Sequence, residues 1–330
     1  MCKIATSGML AVLALSVVVV GCDTKPAPIG YWRRKTKKII AVAPGDAEEV
    51  AAVTDAKKTC VNYRYRLSVL RGYYDKVGNA DRYIWAGKEL NNLNEAQWFR
   101  WTGVPEIVPP PGESLADADE RLLVEYVLEA RKAYRQAMEK LVDFYRDRNN
   151  AEKLATVRRV QQRLDPVHTY MYFFSAEAPG AQLRPLKVIP AADALYARAI
   201  STHKWGKPLP AVTLYSKQRQ ALSLFLELIE KYPNSTRSPL AAFRVGHIYR
   251  EYFNEDVRAV MWYQRAWQWD PDIQVGARFQ AAVVYDFRLQ NHKKALELYR
   301  DVLEYEQRSA SNRRYARQRI LELTEKEEQD

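Results

Sequence analysis

The sequence predicts an all-α chain, a solenoid of stacked antiparallel helix pairs. Three observations carry that prediction. Sustained apolar–polar alternation is missing, so strand signals are scarce. Apolar residues recur at steps of three and four through most of the chain after Asp46. Two segments of the C-terminal half match each other at a constant offset of 36 residues.

The N-terminus comes first in order. Lys3 is the only charge in the first 22 residues, and Met9–Val20 ("MLAVLALSVVVV") is almost wholly apolar. That run is too short to span a bilayer and fits the apolar region of a secretory signal. Val19-Val20-Gly21-Cys22 resembles the lipobox of bacterial lipoproteins. The resemblance implies a signal peptide over 1–21, cleavage before Cys22, and acylation of Cys22 as the lipid attachment site. Asp23 resembles the inner-membrane retention signal of enteric lipoproteins, which leaves inner and outer membrane open. The expected location is the cell envelope, anchored by lipid and facing the periplasm.

Residues 22–45 read as a flexible tether, since Pro26 and Pro28 fix φ and remove donors. Arg33, Arg34, Lys35, Lys37 and Lys38 form a basic patch suited to anionic headgroups, at about 1 kcal/mol per cation near the surface. The same run also reads as a solvated charge cluster. The whole chain has 51 Lys and Arg against 40 Asp and Glu, a net +11. Such a balance suits nucleic acid, anionic lipid or acidic glycan, and export removes nucleic acid. Of three cysteines, Cys2 leaves with the signal and Cys22 is acylated. Cys60 then has no partner for a disulfide and reads as a buried thiol.

Residues 46–168 read as a helical region with degenerate repeats. Gly78-Asn79 separates two helices and predicts a hairpin. Trp101–Ser114 ("WTGVPEIVPPPGES") reads as a proline-stiffened loop, with Ser114 capping the next helix. There Leu122, Tyr126, Val127, Ala130, Tyr134, Ala137, Leu141 and Phe144 make one apolar stripe. Arg148-Asn149-Asn150 ends it, and another helix runs from Ala151 to about Arg163. Residues 169–189 read as a connector.

Residues 190–330 carry the repeats and a capping helix. Tyr249 aligns with Tyr285, Ala259 with Ala295, and Tyr263 with Tyr299. With Val245, Gly246, Ala266 and Pro271, this pattern resembles the tetratricopeptide repeat, a helix–turn–helix unit. The turn of the first copy is one residue longer than that family's. Ala221, Phe225 and Pro233 look like the second helix of a preceding repeat, its first helix over Ala191–Ser201. An insertion near "HKWGKPLPAV" parts the two. A fainter copy runs through Leu141, Tyr145, Leu154 and Pro166. Small residues let helices approach, and large tyrosines fill the gaps between them. Lipid anchor plus repeats resembles the lipoprotein subunits of outer-membrane β-barrel assembly machines, from which the long N-terminal region departs.

The resemblance implies that first helices line a partner-binding groove. By the alignment its residues are Phe243, His247, Arg250, Phe279, Val283 and Asp286, with Phe279 and Val283 equally readable as core. No metal site is signalled, because none of His168, His203, His247 and His292 stands at helical ligand spacing from another. No nucleotide, nucleophile-elbow or zinc-protease motif occurs. Glu113-Ser114 resembles the Glu-Ser pair of lytic transglycosylases, but the motif that should follow is missing and a helix cap explains the pair. Trp262, Trp267 and Trp269 read as packing between repeats, with carbohydrate contact as the alternative. The expected work is a non-catalytic, cofactor-free scaffold that binds envelope proteins or peptides. The alternatives are a glycan- or lipid-binding module and a glycan-cleaving enzyme on a solenoid.

Overall fold

The computed structural model describes residues 38–110 and 118–327. Among these residues lie twelve helices and one two-stranded sheet, and consecutive helices pack on one another in a solenoid-like, all-α fold.

Helix α1 (Ala47–Lys76) starts where the Asp46 side chain accepts the Glu49 N–H. Its buried residues run from Glu49 through Val53, Ala56, Cys60, Tyr63, Leu67 and Leu70 to Tyr74. The steps alternate between four and three, which makes a heptad seam. The seam packs on α3 (Glu120–Asp147), capped by the Asp119 side chain. The two helices run in opposite directions. Tyr145 near the end of α3 donates to Glu49 at 2.9 Å, and Tyr63 and Tyr134 meet midway with ring centroids 6.2 Å apart. Helix α2 (Ala80–Ala96) lies against α1, and α4 (Ala151–Gln161) against α3.

Strand β1 (Lys38–Ala41) pairs in parallel with β2 (Phe99–Thr102), Lys38 opposite Phe99. This corrects two expectations. The tether does not extend to residue 45, because Ile40 and Val42 are buried in the core of the N-terminal half. Alternation over so few residues, next to a run of cations, is too short a signal to read. The proline-rich loop likewise begins only after Thr102. Ser114 lies outside the described residues, and the cap of α3 is Asp119.

The repeat shows most clearly in the turns. Tyr74, Tyr145, Tyr249 and Tyr285 each stand near the end of a first helix, and each carbonyl accepts the N–H of the next helix's cap: Asn79, Asn150, Glu255 and Asn291. The residue before each cap has positive φ: Gly78 at 71°, and Asn149, Asn254 and Gln290 at 52°. The first two turns close as a 6→1 Schellman bond, and the last two carry one residue more.

The C-terminal half builds on these units. It comprises α6 (Pro190–Trp205), α7 (Tyr215–Lys231), α8 (Ser238–Phe253), α9 (Asp256–Trp269), α10 (Ala277–Phe287), α11 (His292–Tyr305) and α12 (Ala310–Glu327). Gly246 permits the closest approach. A Cβ there would lie 2.8 Å from the Tyr263 ring and 2.9 Å from the Ala259 carbonyl. Trp262 and Trp269 are buried and Trp267 half-buried, so these indoles pack between elements rather than face solvent.

The buried apolar residues form two clusters, one from Ile40 to Tyr172 and one from Val167 to Leu323. They meet at the segment between α4 and α6, which contains the short helix α5 (Phe174–Glu177).

Candidate functional site

The residues 36 apart on α8 and α10 occupy matching positions on first helices. His247, Arg250, Phe279 and Val283 are all partly exposed. Arg250 reaches from α8 to the side-chain amide oxygen of Gln280 on α10, which ties the two first helices together. Phe279 lies edge-on to Tyr315, with centroids 5.7 Å apart. Phe243 is 7% exposed and stacks beneath His247 at 6.3 Å, so it is a floor for this face. His203 of α6 meets His247 at 6.1 Å. Burial drives the His247 pKa down to about 4 and also lowers that of His203, so both imidazoles are neutral at pH 7.

Asp286 departs from the expected groove. It is 1% exposed, and its two oxygens accept from Arg319 at 2.7 and 2.9 Å and from the Tyr299 hydroxyl at 3.2 Å. His292 Nδ1 lies 3.2 Å away. Burial alone would raise this carboxyl, but the bonds from Arg319, Tyr299 and His292 hold it below its ordinary value. Asp286 is therefore a fastening for α12 rather than a ligand contact.

Lys38 sits in β1, its ammonium 2.6 Å from Glu152. Cys22, Arg33, Arg34, Lys35 and Lys37 lie outside the described residues. Cys60 is 1% exposed, with its sulfur accepting from the Gln97 amide at 2.7 Å. Among the described residues no cluster of His, Cys, Asp and Glu is arranged to hold a metal ion. None of the described helices is long and apolar enough to cross a membrane.

Sequence reasoning missed the charges that hold the segment between the two cores. Glu89 of α2 is 1% exposed and accepts from Arg131 of α3 at 2.8 Å, from the Tyr63 and Tyr172 hydroxyls, and from the Tyr170 N–H at 3.2 Å. Arg131 also donates to the Tyr170 carbonyl at 3.0 Å. From the other half, Arg258 of α9 donates to the carbonyls of Pro166, Val167 and Thr169 and lies over the Tyr170 ring. The segment is thus gripped on both sides. One signal was present: Arg131 and Glu89 fall on the apolar stripes of their helices, beside Ala130 and Tyr134 and between Trp85 and Leu93.

Two cavities flank this segment. The larger, about 580 Å³, is lined by Arg82, Trp85, Phe173, Phe174, Gln264 and Arg265 among others. The smaller, about 260 Å³, includes Arg131, Glu177, Glu227 and Glu230. Burial pushes the Glu177 carboxyl up. Its oxygens accept the Phe173 N–H at 2.9 Å and face Arg131 at 3.9 Å, so it closes the first turn of α5. No protein-family model, curated protein or solved structure matches this chain.

Proposed function

We propose that the chain is a lipid-anchored envelope protein of bacteria whose helical-repeat domain holds a protein or peptide partner without catalysis. The observation that carries this reading is the shared face of α8 and α10. Half-exposed His247, Arg250, Phe279 and Val283 lie there at equivalent repeat positions, over a floor of buried aromatics. A face with partly exposed apolar and neutral polar groups on a packed scaffold suits an extended peptide with apolar side chains, since Arg250 is already paired with Glu251. Cys22 supplies the membrane attachment and the Arg33–Lys37 cations a headgroup contact, while Lys38 is held by Glu152. The likeness to tetratricopeptide-repeat lipoproteins of outer-membrane assembly belongs to the same reading.

The test is positional. A photo-reactive amino acid placed at Phe279 or Val283 crosslinks one defined envelope partner in cells. The same group at Lys293 or Glu297, exposed on the second helix α11, does not. Equal crosslinking from both faces, or none from Phe279 and Val283, overturns the assignment of the face. A Cys22→Ser chain that stays acylated and in the membrane fraction overturns the anchor.

A second reading, a glycan-cleaving enzyme, draws on Glu177, a carboxyl raised by burial beside a cavity. Its geometry answers better to a helix-closing role. Wall-fragment release that is abolished by Glu177→Gln, in a chain that still folds, is the result that favours the enzyme.

A further inference from the structure

The insertion between α6 and α7 is a built feature that the repeat stack does not use. It forms a closed finger. The Leu214 N–H donates to the Gly206 carbonyl at 2.8 Å across its neck, and the Val212 N–H to the Leu209 carbonyl at 3.1 Å near its tip. Pro208 and Pro210 stiffen the outward strand. The neck is locked from beneath by Gln218, which is fully buried. Its amide donates to the His203 carbonyl at 3.2 Å, and its oxygen lies 2.6 Å from His203 Nδ1. A Cβ on Gly206 would come within 2.3 Å of that amide. The finger is therefore held in shape while covering nothing: every residue from Lys207 to Val212 is exposed.

What it shows to water is apolar. Leu209 is 62% exposed and Val212 39% at the tip, with Trp205 at 68%, Leu214 at 41% and Tyr215 at 55% around the neck. Clustered exposure of this kind marks a contact surface. The charge around it has one sign. From Ala194 to Leu226 the sequence holds Arg198, Lys204, Lys207, Lys217 and Arg219 and no acid. Nearby carboxylates are engaged, Glu251 with Arg250 and Asp165 with Arg219 and His168.

An apolar tip, amphipathic aromatics at the neck and a lysine collar follow the order met on leaving the acyl region of a bilayer for water. The collar adds attraction to anionic headgroups. A rigid projection, unlike a groove, also needs a surface that it can enter. We propose that the Gly206–Leu214 finger inserts into the headgroup region of an anionic lipid bilayer. The folded domain then has a membrane contact of its own, independent of acylation at Cys22.

The test uses the purified chain from Asp23 onward, so that neither acyl chains nor the apolar Met9–Val20 run contributes. Its partitioning is measured on vesicles of phosphatidylglycerol and phosphatidylcholine in about equal parts, and on phosphatidylcholine alone. The expected result is binding to the anionic vesicles that weakens with salt. Leu209→Asp with Val212→Asp lowers the partition coefficient about tenfold or more, as for withholding a leucine-sized group from apolar surroundings. These positions are exposed, so the melting temperature stays unchanged. Arg33, Arg34, Lys35 and Lys37 changed together to Gln weaken binding without removing the tip effect. Brominated lipid quenches fluorescence that Trp205→Phe eliminates, which reads insertion even if a tip variant folds poorly. Wild-type binding by the tip variant, absence of Trp205 quenching, or no binding to anionic vesicles overturns the proposal. The last outcome would leave the finger as a contact for protein.

Discussion

The two halves of this molecule solve one packing problem in different ways. The C-terminal half stacks short helices whose contacts lie mostly between neighbours in sequence, with Gly246 and Ala259 set against Tyr263. The N-terminal half joins two long helices, α1 and α3, that are far apart in sequence and run antiparallel along a heptad seam. Stability that is local can be divided, because each repeat adds its own interface. Stability that rests on a long-range seam is gained or lost as a unit. Two hairpins in each half turn at a tyrosine whose carbonyl accepts the N–H just after a residue of positive φ. The local unit is shared, and the stacking differs.

The largest expected effect breaks the N-terminal half. Glu89→Ala leaves Arg131 buried without its carboxylate and removes the acceptor for the Tyr63 and Tyr172 hydroxyls. Denaturant unfolding should show a loss of about 3–5 kcal/mol. Replacing both partners with apolar residues of similar volume, Glu89→Leu with Arg131→Met, should recover only the part due to the unpaired Arg131, because the Tyr63 and Tyr172 hydroxyls still lack their acceptor. An unchanged midpoint for Glu89→Ala would show that the buried pair does not hold this half together.

Next in size is Gly246→Val in the C-terminal half. The added atoms meet the Tyr263 ring and the Ala259 backbone, and overpacking of this kind costs about 1–3 kcal/mol. Gly45→Ala, with nothing within 4 Å of the new Cβ, should stay within about 0.5 kcal/mol of wild type. A more local change follows from Arg319→Met, which removes the fastening of Asp286 to α12. Hydrogen exchange should quicken in α12 and little in α1–α4. Equal quickening in both halves would erase the distinction drawn between them.

The smallest expected effect is a pH dependence in α8. His247 stays neutral in the folded chain down to about pH 4, whereas an unfolded histidine protonates near its ordinary value of about 6.5. Below that value the unfolded chain binds the extra proton, so stability falls as pH drops from about 6.5 toward 4. His247→Gln should flatten the melting temperature across that window. A slope that survives the substitution would assign it to other groups, His203 first.

Much of the C-terminal half was legible in the sequence because its interactions are local. The 36-residue offset places Tyr249 and Tyr285 in the same turn, and the extra turn residue, read from the first copy alone, stands in both. The N-terminal helices and the Gly78 hairpin were also legible. The pairing of β1 with β2 was not, since a short parallel pair leaves no periodic trace and its partner lies far along the chain. Nor was the grip on the segment between the cores. Glu89, Arg131 and Arg258 look like ordinary helix charges until distant elements bury them. Surface exposure along the first helices was readable in part. Position along the repeat located His247 and Phe279, but whether Asp286 met solvent depended on Arg319, a helix pair away.

The central claim is that a divisible repeat stack and an indivisible helical seam share one chain. Hydrogen exchange followed peptide by peptide under rising denaturant tests it most directly. The account predicts that α12 opens first and α10–α11 next. It predicts that α1, α2 and α3 open together at the highest free energy, and that Tyr170–Tyr172 opens with them. Opening of α1 and α3 at separate free energies, or of α12 together with α1, would contradict it.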